Sequence, residues 1–284
     1  MPVAIVTGAN TGIGLAAAKE FVAQDFTTVL ACRNRQKADA ARAEILDTHP
    51  DADVQVMSID QASLAHVRRF ADEVTQRWGA VNVLVNNAGA SPLRPEITED
   101  GFEMQFGANY LAPFLLTHLL LPRLVVGAAE TGDSRVVHLA SVAHNIGRMR
   151  ESTWRGRKPY FTLTAYGQSK MGNLMFNYAL ARRLPTGVST FAVHPGSVDS
   201  DIWRDTPTPV YWALKPTFVT TDVPGRLISD IATADEYRGR SGDYLTVQKP
   251  NPVRGYARNT ANQEALYLRS CELVGIDPLP LTVG

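Results

Sequence analysis

The chain has 284 residues, with 28 basic and 28 acidic side chains, so its formal net charge is zero. This balance argues against a dedicated nucleic-acid-binding protein, whose affinity rests on a basic surface. The two cysteines, Cys32 and Cys271, lie too far apart to indicate a disulfide framework, and the six histidines show no metal-ligand spacing. We therefore expect neither a nucleic-acid partner nor a bound metal.

The first residues enter an apolar strand pattern without a charged leader or a cleavage site. The most apolar stretch, residues 111–126, is interrupted by two prolines, a histidine and an arginine. It is expected to fall short of the ~18 uninterrupted apolar residues that a membrane helix needs. A cytoplasmic protein without a membrane anchor is the expectation.

Short β-rich runs alternate with longer helical patterns along the chain. The predicted strands cover residues 3–7, 27–31, 54–59, 81–85, 135–139 and 190–193. The predicted helices cover residues 14–24, 36–48, 64–78, 102–121 and 164–183, the third of them capped by Ser63. Strands separated by helices indicate an α/β fold, a doubly wound parallel sheet with helices on both faces. We predict one Rossmann-type domain over residues 1–284.

A glycine-rich turn follows the first strand, with glycines at positions 8, 12 and 14. Glycines there let the backbone approach a pyrophosphate, which then meets the free N–H groups of a helix N-terminus. The predicted cofactor-binding residues of this turn are Gly8, Asn10, Thr11, Gly12, Ile13 and Gly14.

The second predicted strand leads into Arg33 and Arg35 instead of the acidic residue that typically binds the adenosine ribose of NAD. A guanidinium suits a 2′-phosphate, so Arg33 favours NADP(H), although a solvated basic loop is the alternative. Asp60, at the end of the third strand, is predicted either to bond the adenine amino group or to cap the following helix. After the fourth strand, Asn87, Ala88 and Gly89 leave room for a cofactor at the carboxyl edge of the sheet.

Tyr166 and Lys170 are four residues apart in a strong helical pattern, which places both side chains on one helix face. A nearby ammonium is expected to lower the pKa of the phenol from its ordinary value of ~10, which favours acid–base chemistry. A second pair with this spacing, Tyr211 and Lys215, lies among prolines, where a regular helix is not expected.

Two further residues are predicted to complete this group. Ser141 follows the fifth strand at the ligand-binding edge, where its hydroxyl would polarise a substrate carbonyl. Asn109 precedes Pro113 by four residues, so its carbonyl lacks the usual helical N–H partner and the helix is expected to kink there. A carbonyl freed in this way beside a lysine can hold a water of a proton path, with a simple packing feature as the alternative.

Together these residues resemble the short-chain dehydrogenase/reductase superfamily, and the match covers nearly the whole chain. The matching motifs are Thr7-Gly8-x-x-x-Gly12-x-Gly14, Asn86-Asn87-Ala88-Gly89, Asn109, Ser141, Tyr166-x-x-x-Lys170 and His194-Pro195-Gly196. Further motifs are similar to the branch of retinol dehydrogenases, WW-domain oxidoreductases and protochlorophyllide reductases. They are Ala31-Cys32-Arg33-Asn34, residues 101–106, Val142-Ala143-His144 and residues 239–244.

The resemblance implies an NADP(H)-dependent carbonyl or alcohol oxidoreductase. It makes Tyr166 the general acid and gives Lys170 two tasks, which are to lower the pKa of the tyrosine and to bond the nicotinamide ribose. It also makes Ser141 the residue that orients the carbonyl, while Asn109 anchors a relay water. Further cofactor contacts are implied at Pro195, Gly196, Val198 and Ser200, the last in place of the family's usual threonine.

Two segments of the chain bear on assembly and on the substrate. The spacing between Ser141 and Tyr166 is about a dozen residues longer than usual, because of a basic insert at residues 147–160 that favours a monomer or a homodimer. Residues 200–225 correspond to the family's substrate lid. Its aromatic residues predict a small hydrophobic aldehyde, ketone or alcohol as substrate, with contacts from Trp203, Tyr211 and Trp212. A catalytically silent NADP-binding protein and a light-dependent reductase remain alternatives.

Overall fold

The computed structural model describes residues 1–196, 198, 219–247 and 252–282. Within these residues, seven parallel strands form one sheet in the order β3-β2-β1-β4-β5-β6-β7. They are β1 Val3–Thr7, β2 Thr27–Cys32, β3 Val54–Ser58, β4 Val83–Asn86, β5 Ser134–Leu139, β6 Val188–His194 and β7 Asp243–Thr246. The strand order changes direction between β1 and β4, which opens a crevice at the carboxyl ends of these strands. The predicted α/β fold class is confirmed.

Helices cover both faces of the sheet. They are α1 Gly12–Val22, α2 Arg35–Thr48, α3 Leu64–Arg77, α4 Met104–Phe106, α5 Ala112–Thr131, α6 Thr162–Ala181, α7 Asp222–Thr233, α8 Gly255–Arg258 and α9 Thr260–Val274. On one face, α3, α5, α6 and α9 bury a core that includes Phe70, Phe114 and Phe176. On the other face, α1, α2 and α7 bury a smaller core around Phe21 and Ile45.

The six predicted strands are all present, with ends that agree to within two residues, but β7 was not predicted. This strand has only four residues, each of intermediate burial, and it pairs only with β6 among the described strands. A short strand at the edge of a sheet lacks the long apolar run that identifies a buried parallel strand.

The prediction that Ser63 caps α3 is wrong in its chemistry. Ser63 occupies the position before the helix, but its side chain makes no capping hydrogen bond. Asp100 instead accepts a hydrogen bond from the N–H of Leu64 at 2.8 Å, from 36 residues along the chain. Asp60 also does not cap the helix, since its carboxylate accepts the N–H of Ala62 at 2.9 Å.

The expectation for the apolar stretch also needs correction. Helix α4, a π-helical turn at Gly107–Leu111 and α5 form one continuous run, Met104–Thr131, which by length and composition can cross a membrane. The prolines interrupt the apolar sequence without ending the helix, since Pro113 lies in the first turn of α5 and Pro122 within it. Because 67% of the most apolar window is buried inside the protein, this run serves as a core helix of the fold.

Candidate active site

The glycine turn after β1 forms an open cradle at the start of α1. Gly8 and Gly12 have φ values of +66° and +58°, a conformation that favours glycine. Among the described residues, a Cβ on Gly12 would meet nothing within 4 Å, and Thr11 makes no side-chain cap on the first N–H groups of α1. Free N–H groups beside open space suit the phosphates of a dinucleotide. The residues of the turn therefore fit such a group.

Gly14 is required for packing and not for a turn. A Cβ there would lie 2.5 Å from both the Gly8 carbonyl oxygen and the side-chain nitrogen of Asn87. That nitrogen donates to the carbonyl of Thr7 at 2.8 Å, while the Thr7 hydroxyl accepts the N–H groups of Asn87 and Ala88 at 3.0 Å. These bonds fasten the loop after β4 to the glycine turn, so both predicted cofactor segments lie side by side.

The two arginines after β2 have different surroundings. Arg35 forms an ion pair with Asp39 at 2.9 Å on the surface of α2. Arg33 is exposed and has no partner within the described part of the chain. Its guanidinium is therefore available for an external anion. Asn34 between them caps α2 by accepting the N–H of Lys37 at 2.9 Å.

Asn109 lies within the π-helical turn, and Pro113 follows as predicted in the first turn of α5. The N–H of Ala112 bonds the carbonyl of Gly107, five residues earlier, so the hydrogen-bond register shifts at this point. The Asn109 side chain is fixed by two bonds to Ala90, with its oxygen accepting the N–H at 2.7 Å and its nitrogen donating to the carbonyl at 2.8 Å. Its amide thus ties the helix to the loop after β4.

The structure brings Ser141, Tyr166 and Lys170 together at the carboxyl end of β5. The hydroxyl of Ser141 is a neighbour of the phenol of Tyr166 and lowers its pKa slightly. Lys170, one turn along α6, has its Nζ atom 5.5 Å from the centroid of the tyrosine ring. That ammonium donates to the carbonyl of Leu139 at 2.6 Å. Since β1, β4 and β5 are neighbours in the sheet, this group shares one edge with the glycine turn.

The pKa expected for the catalytic pair is wrong in direction. Burial raises the pKa of Tyr166 to about 12, against a smaller lowering by the neighbouring Ser141 hydroxyl. Burial also lowers the pKa of Lys170 to about 8, so the ammonium begins to lose its proton only slightly above neutral pH. The two residues have the expected spacing, but the loss of solvent on burial sets the direction of both pKa shifts. Tyr166 is therefore protonated at neutral pH.

The loop after β6 is described only in part. Gly196 has a φ of +82°, and Val198 forms an isolated parallel bridge with Val219. His194 is buried with its pKa lowered to about 4, chiefly by desolvation, so it is neutral at physiological pH. The predicted residues Ser200, Trp203, Tyr211 and Trp212 lie outside the described residues, as does the second tyrosine–lysine pair.

The insert at residues 147–160 is fastened against the start of α6. Trp154 stacks on Phe106 with ring centroids 4.7 Å apart, and Arg157 donates to the hydroxyl of Thr164 at 2.9 Å. A Cβ on Gly147 would lie 2.2 Å from the carbonyl oxygen of Gly167, so the two backbones touch. The insert thus supports the helix that carries Tyr166.

Sequence reasoning missed two buried polar residues next to the site. His144 donates from Nδ1 to the carbonyl of Ser141, with the two atoms 2.6 Å apart, since a carbonyl oxygen is only an acceptor. Asn173 donates to the carbonyl of Leu139 at 3.2 Å, beside the ammonium of Lys170. The motif around His144 indicates only the family resemblance, whereas the position of Asn173, three residues after Lys170 on the same helix, is a signal that could have found it. Among the described residues, no cluster of three or more His, Cys, Asp or Glu side chains suits a metal ion.

Comparison with known proteins identifies the family. The pattern of the short chain dehydrogenase family matches residues 2–209. Retinol dehydrogenase 12 of Mus musculus is 39% identical over 277 residues, which cover 96% of this chain and 86% of the relative. A solved structure of an uncharacterised protein from Mycobacterium paratuberculosis has a TM-score of 0.78 at 30% identity, covering 99% of this chain and 96% of that one.

A more distant structure, the complex of RhlG from Pseudomonas aeruginosa with NADP, has a TM-score of 0.70 at 22% identity and shares the fold. It covers 87% of this chain and 94% of that chain. The sheet order, the glycine turn and these similarities agree with one another. The chain belongs to the short-chain dehydrogenase/reductase superfamily, in its retinol dehydrogenase-like branch, and is an NAD(P)-dependent oxidoreductase acting on CH–OH or C=O groups.

Proposed function

We propose that the protein is an NADP(H)-dependent oxidoreductase that interconverts a hydrophobic carbonyl compound and its alcohol, with Tyr166 as general acid and base. The observation that carries this proposal is the phenol of Tyr166, which is protonated and lies next to Ser141 and to the buried ammonium of Lys170. The position of this group at the edge shared with the glycine turn supports it further.

When bound, the coenzyme would supply the hydride in reduction and accept it in oxidation. The glycine turn and the start of α1 would hold its pyrophosphate, and Asn87, Ala88 and Gly89 would line the adjoining crevice. Arg33 would hold the 2′-phosphate, while Asp60 keeps one carboxylate oxygen free for the adenine amino group. Pro195, Gly196, Val198 and Ser200 are proposed on the nicotinamide side, as the family resemblance implies.

Each polar side chain at the edge of β5 has a separate task. The hydroxyl of Ser141 donates to the carbonyl oxygen of the substrate and orients it next to Tyr166. In reduction the phenol O–H bond breaks and the proton joins the substrate oxygen; in oxidation the same proton returns to the phenolate. The ammonium of Lys170 stabilises the phenolate, and the main-chain carbonyl of Asn109 holds a water that reprotonates the pair.

The choice of coenzyme is tested by Arg33→Ala. Loss of a charge-assisted contact is expected to weaken NADPH binding by about 10- to 100-fold and NADH binding by less than about threefold. Fluorescence titration of both coenzymes measures the two effects. Arg35→Ala is the matched control, because its guanidinium is engaged with Asp39 and its loss should leave both affinities unchanged. Equal weakening of both coenzymes by Arg33→Ala would contradict the proposal.

The pKa values of the pair predict a specific pH dependence. For NADPH, kcat/KM reports groups of the coenzyme-free protein. It should be level from pH 6 to 7.5 and fall above about pH 8, where Lys170 loses its charge while Tyr166 keeps its proton. Lys170→Arg lowers the rate but keeps the positive charge, so the pH profile of its kcat/KM should not fall above pH 8. If kcat/KM of the arginine variant falls at the same pH, Lys170 is not the group that causes the fall.

The substrate class is tested by a panel of carbonyl compounds. Long apolar aldehydes and ketones are expected to have a kcat/KM at least about tenfold above short polar ones, since each buried methylene contributes about 0.8 kcal/mol. The aromatic residues Trp203, Tyr211 and Trp212 are the proposed contacts, and the retinol dehydrogenases among the relatives carry an apolar alcohol in their name. NADPH consumption monitored by absorbance gives the ranking, and a preference for short polar carbonyls would overturn it.

The proposal includes the oligomeric state of the protein and its location in the cell. A monomer or homodimer is proposed because the insert at residues 147–160, which packs against α4 and the start of α6, would obstruct the family's usual subunit packing. A cytoplasmic protein is proposed because its most apolar helix is largely buried in the core of the domain. Light scattering and cell fractionation test these two points.

A further inference from the structure

The last carbonyl of β5 has two side-chain donors. Leu139 ends the strand, and its oxygen accepts a hydrogen bond from the Lys170 ammonium at 2.6 Å and another from the Asn173 amide at 3.2 Å. The N–H of Asn87, the residue after the neighbouring strand β4, does not bond this carbonyl. It donates instead to the hydroxyl of Thr7 and to the carbonyl of Val85. The shared carbonyl therefore links the ammonium and the amide at the strand end that lies under Tyr166.

Asn173 is placed for this contact by the geometry of α6. It lies three residues after Lys170, so the two side chains leave the same face of the helix toward the sheet. Both are buried, with 3% of Asn173 and 4% of Lys170 exposed. The side-chain oxygen of Asn173 is also buried and has no hydrogen-bond partner among the described residues. A buried amide that meets only part of its hydrogen-bonding capacity is costly and indicates a role beyond packing.

We propose that Asn173 is a positioning residue for Lys170, which holds the Leu139 carbonyl in place for the ammonium and supplies a polar oxygen beside it. The amide group restrains the carbonyl that anchors Nζ, and its dipole replaces part of the solvent that burial removes from the charge. The proposal extends the proposed function, in which Lys170 acts on Tyr166. It concerns the protonation of the lysine, which is measurable without turnover.

The other titratable groups around Lys170 do not change charge in the pH range where the lysine loses its proton. Tyr166 faces the ammonium from α6, His138 lies beneath it on β5, and His194 faces it from β6. Burial lowers the pKa of His138 to about 3 and that of His194 to about 4, while it raises the pKa of Tyr166 to about 12. Between pH 5 and 11, Lys170 is thus the one group of this set that changes its charge.

The test is an NMR titration of the protein with isotope-labelled lysine side chains. The chain has only six lysines, and Lys170→Arg identifies the Lys170 signal by its absence. In the wild type this signal should titrate near pH 8. Asn173→Asp, which places a carboxylate beside the ammonium, should raise the midpoint by at least about one pH unit. Asn173→Leu has nearly the same shape without a polar group, and it should lower the midpoint by about half a unit or more.

Asn177 offers a matched control one turn further along α6. It is also buried, and its amide bonds the hydroxyl of Thr190 and the carbonyl of Asp243 instead of Leu139. Asn177→Asp and Asn177→Leu carry the same chemical changes farther from the ammonium, so they should move the Lys170 midpoint by less than a third as much.

NADPH affinity provides a second readout, since a displaced ammonium would weaken coenzyme binding in Asn173→Leu by about threefold to tenfold. Equal Lys170 midpoints in the wild type and both Asn173 variants, or equal shifts from Asn173 and Asn177, would overturn the proposal. If Asn173→Leu does not fold, Asn173→Asp and its Asn177 control decide alone. A shifted midpoint in a protein that reduces no carbonyl compound would reject the proposed function and retain the role of Asn173.

Discussion

Replacing Tyr166 with phenylalanine is expected to lower kcat for carbonyl reduction by about 10²- to 10⁴-fold, the usual contribution of a general acid. The substitution removes one oxygen and keeps the ring, so the packing of α6 should be unchanged. Ser141 remains able to orient the carbonyl, but the buried His138 and His194 are neutral, and the Lys170 ammonium is held by the carbonyl of Leu139, so none of the three takes the place of the phenol. NADPH affinity should stay within about twofold of the wild type, because the ring is retained.

The comparison needs a control of the same chemistry. Tyr160→Phe removes a phenol oxygen from the end of the insert, where it donates to the carbonyl of Pro92 and accepts from Gln105 at 3.0 Å. This variant should keep its turnover within about threefold of the wild type, as expected for loss of one peripheral hydrogen bond. Stopped-flow measurement of NADPH oxidation separates the chemical step from release of product.

Two results would contradict the assignment. Unchanged kcat in Tyr166→Phe would show that another group supplies the proton. A wild-type protein that binds NADPH tightly but reduces no member of the carbonyl panel would favour the silent NADP-binding protein, which shares the glycine turn but needs no proton donor. Loss of coenzyme binding together with turnover would point to a folding defect instead.

The parts of the site that could be predicted are those encoded by local sequence. The glycines of the first turn, the residues after β4 and the spacing between Tyr166 and Lys170 each depend on a few neighbouring positions. The apolar strands are also local features, and their alternation with helices implies the parallel sheet. Asn109 could be predicted to interrupt its helix because a proline four residues later lacks the required N–H.

The remaining features depend on contacts between distant segments. The cap of α3 comes from Asp100, and the partners of Lys170 and Asn173 meet at the end of β5. The pKa of Tyr166 shows the same limit: the spacing predicted the neighbouring charge, but desolvation depends on how the whole fold covers the ring. The four-residue spacing of Tyr166 and Lys170 carries no information about burial, so the expected direction of the pKa shift was wrong.

A buried arginine far from the catalytic group is expected to produce the largest loss of stability. Arg135, in β5, is 1% exposed and is held by Asp133 in an ion pair. Its guanidinium also donates to the carbonyls of Ile231 and Ala234 at 2.8 Å, at the C-terminal end of α7. One side chain thus joins the sheet to the helix and satisfies carbonyls that have no partner within the helix.

Arg135→Met keeps the aliphatic stem and removes the charge, so Asp133 and both carbonyls lose their buried partner. The expected cost is about 3–5 kcal/mol in the free energy of unfolding, the range for breaking a buried ion pair by removing one member. At about 2–4 °C per kcal/mol for a domain of this size, the melting temperature should fall by roughly 10 °C. Thermal unfolding followed by circular dichroism measures the change. Arg240→Met is the control, because Arg240 and Asp243 are 46% and 39% exposed, and an exposed pair contributes only about 0–1 kcal/mol. A similar melting temperature for both variants would show that Arg135 does not couple α7 to the sheet.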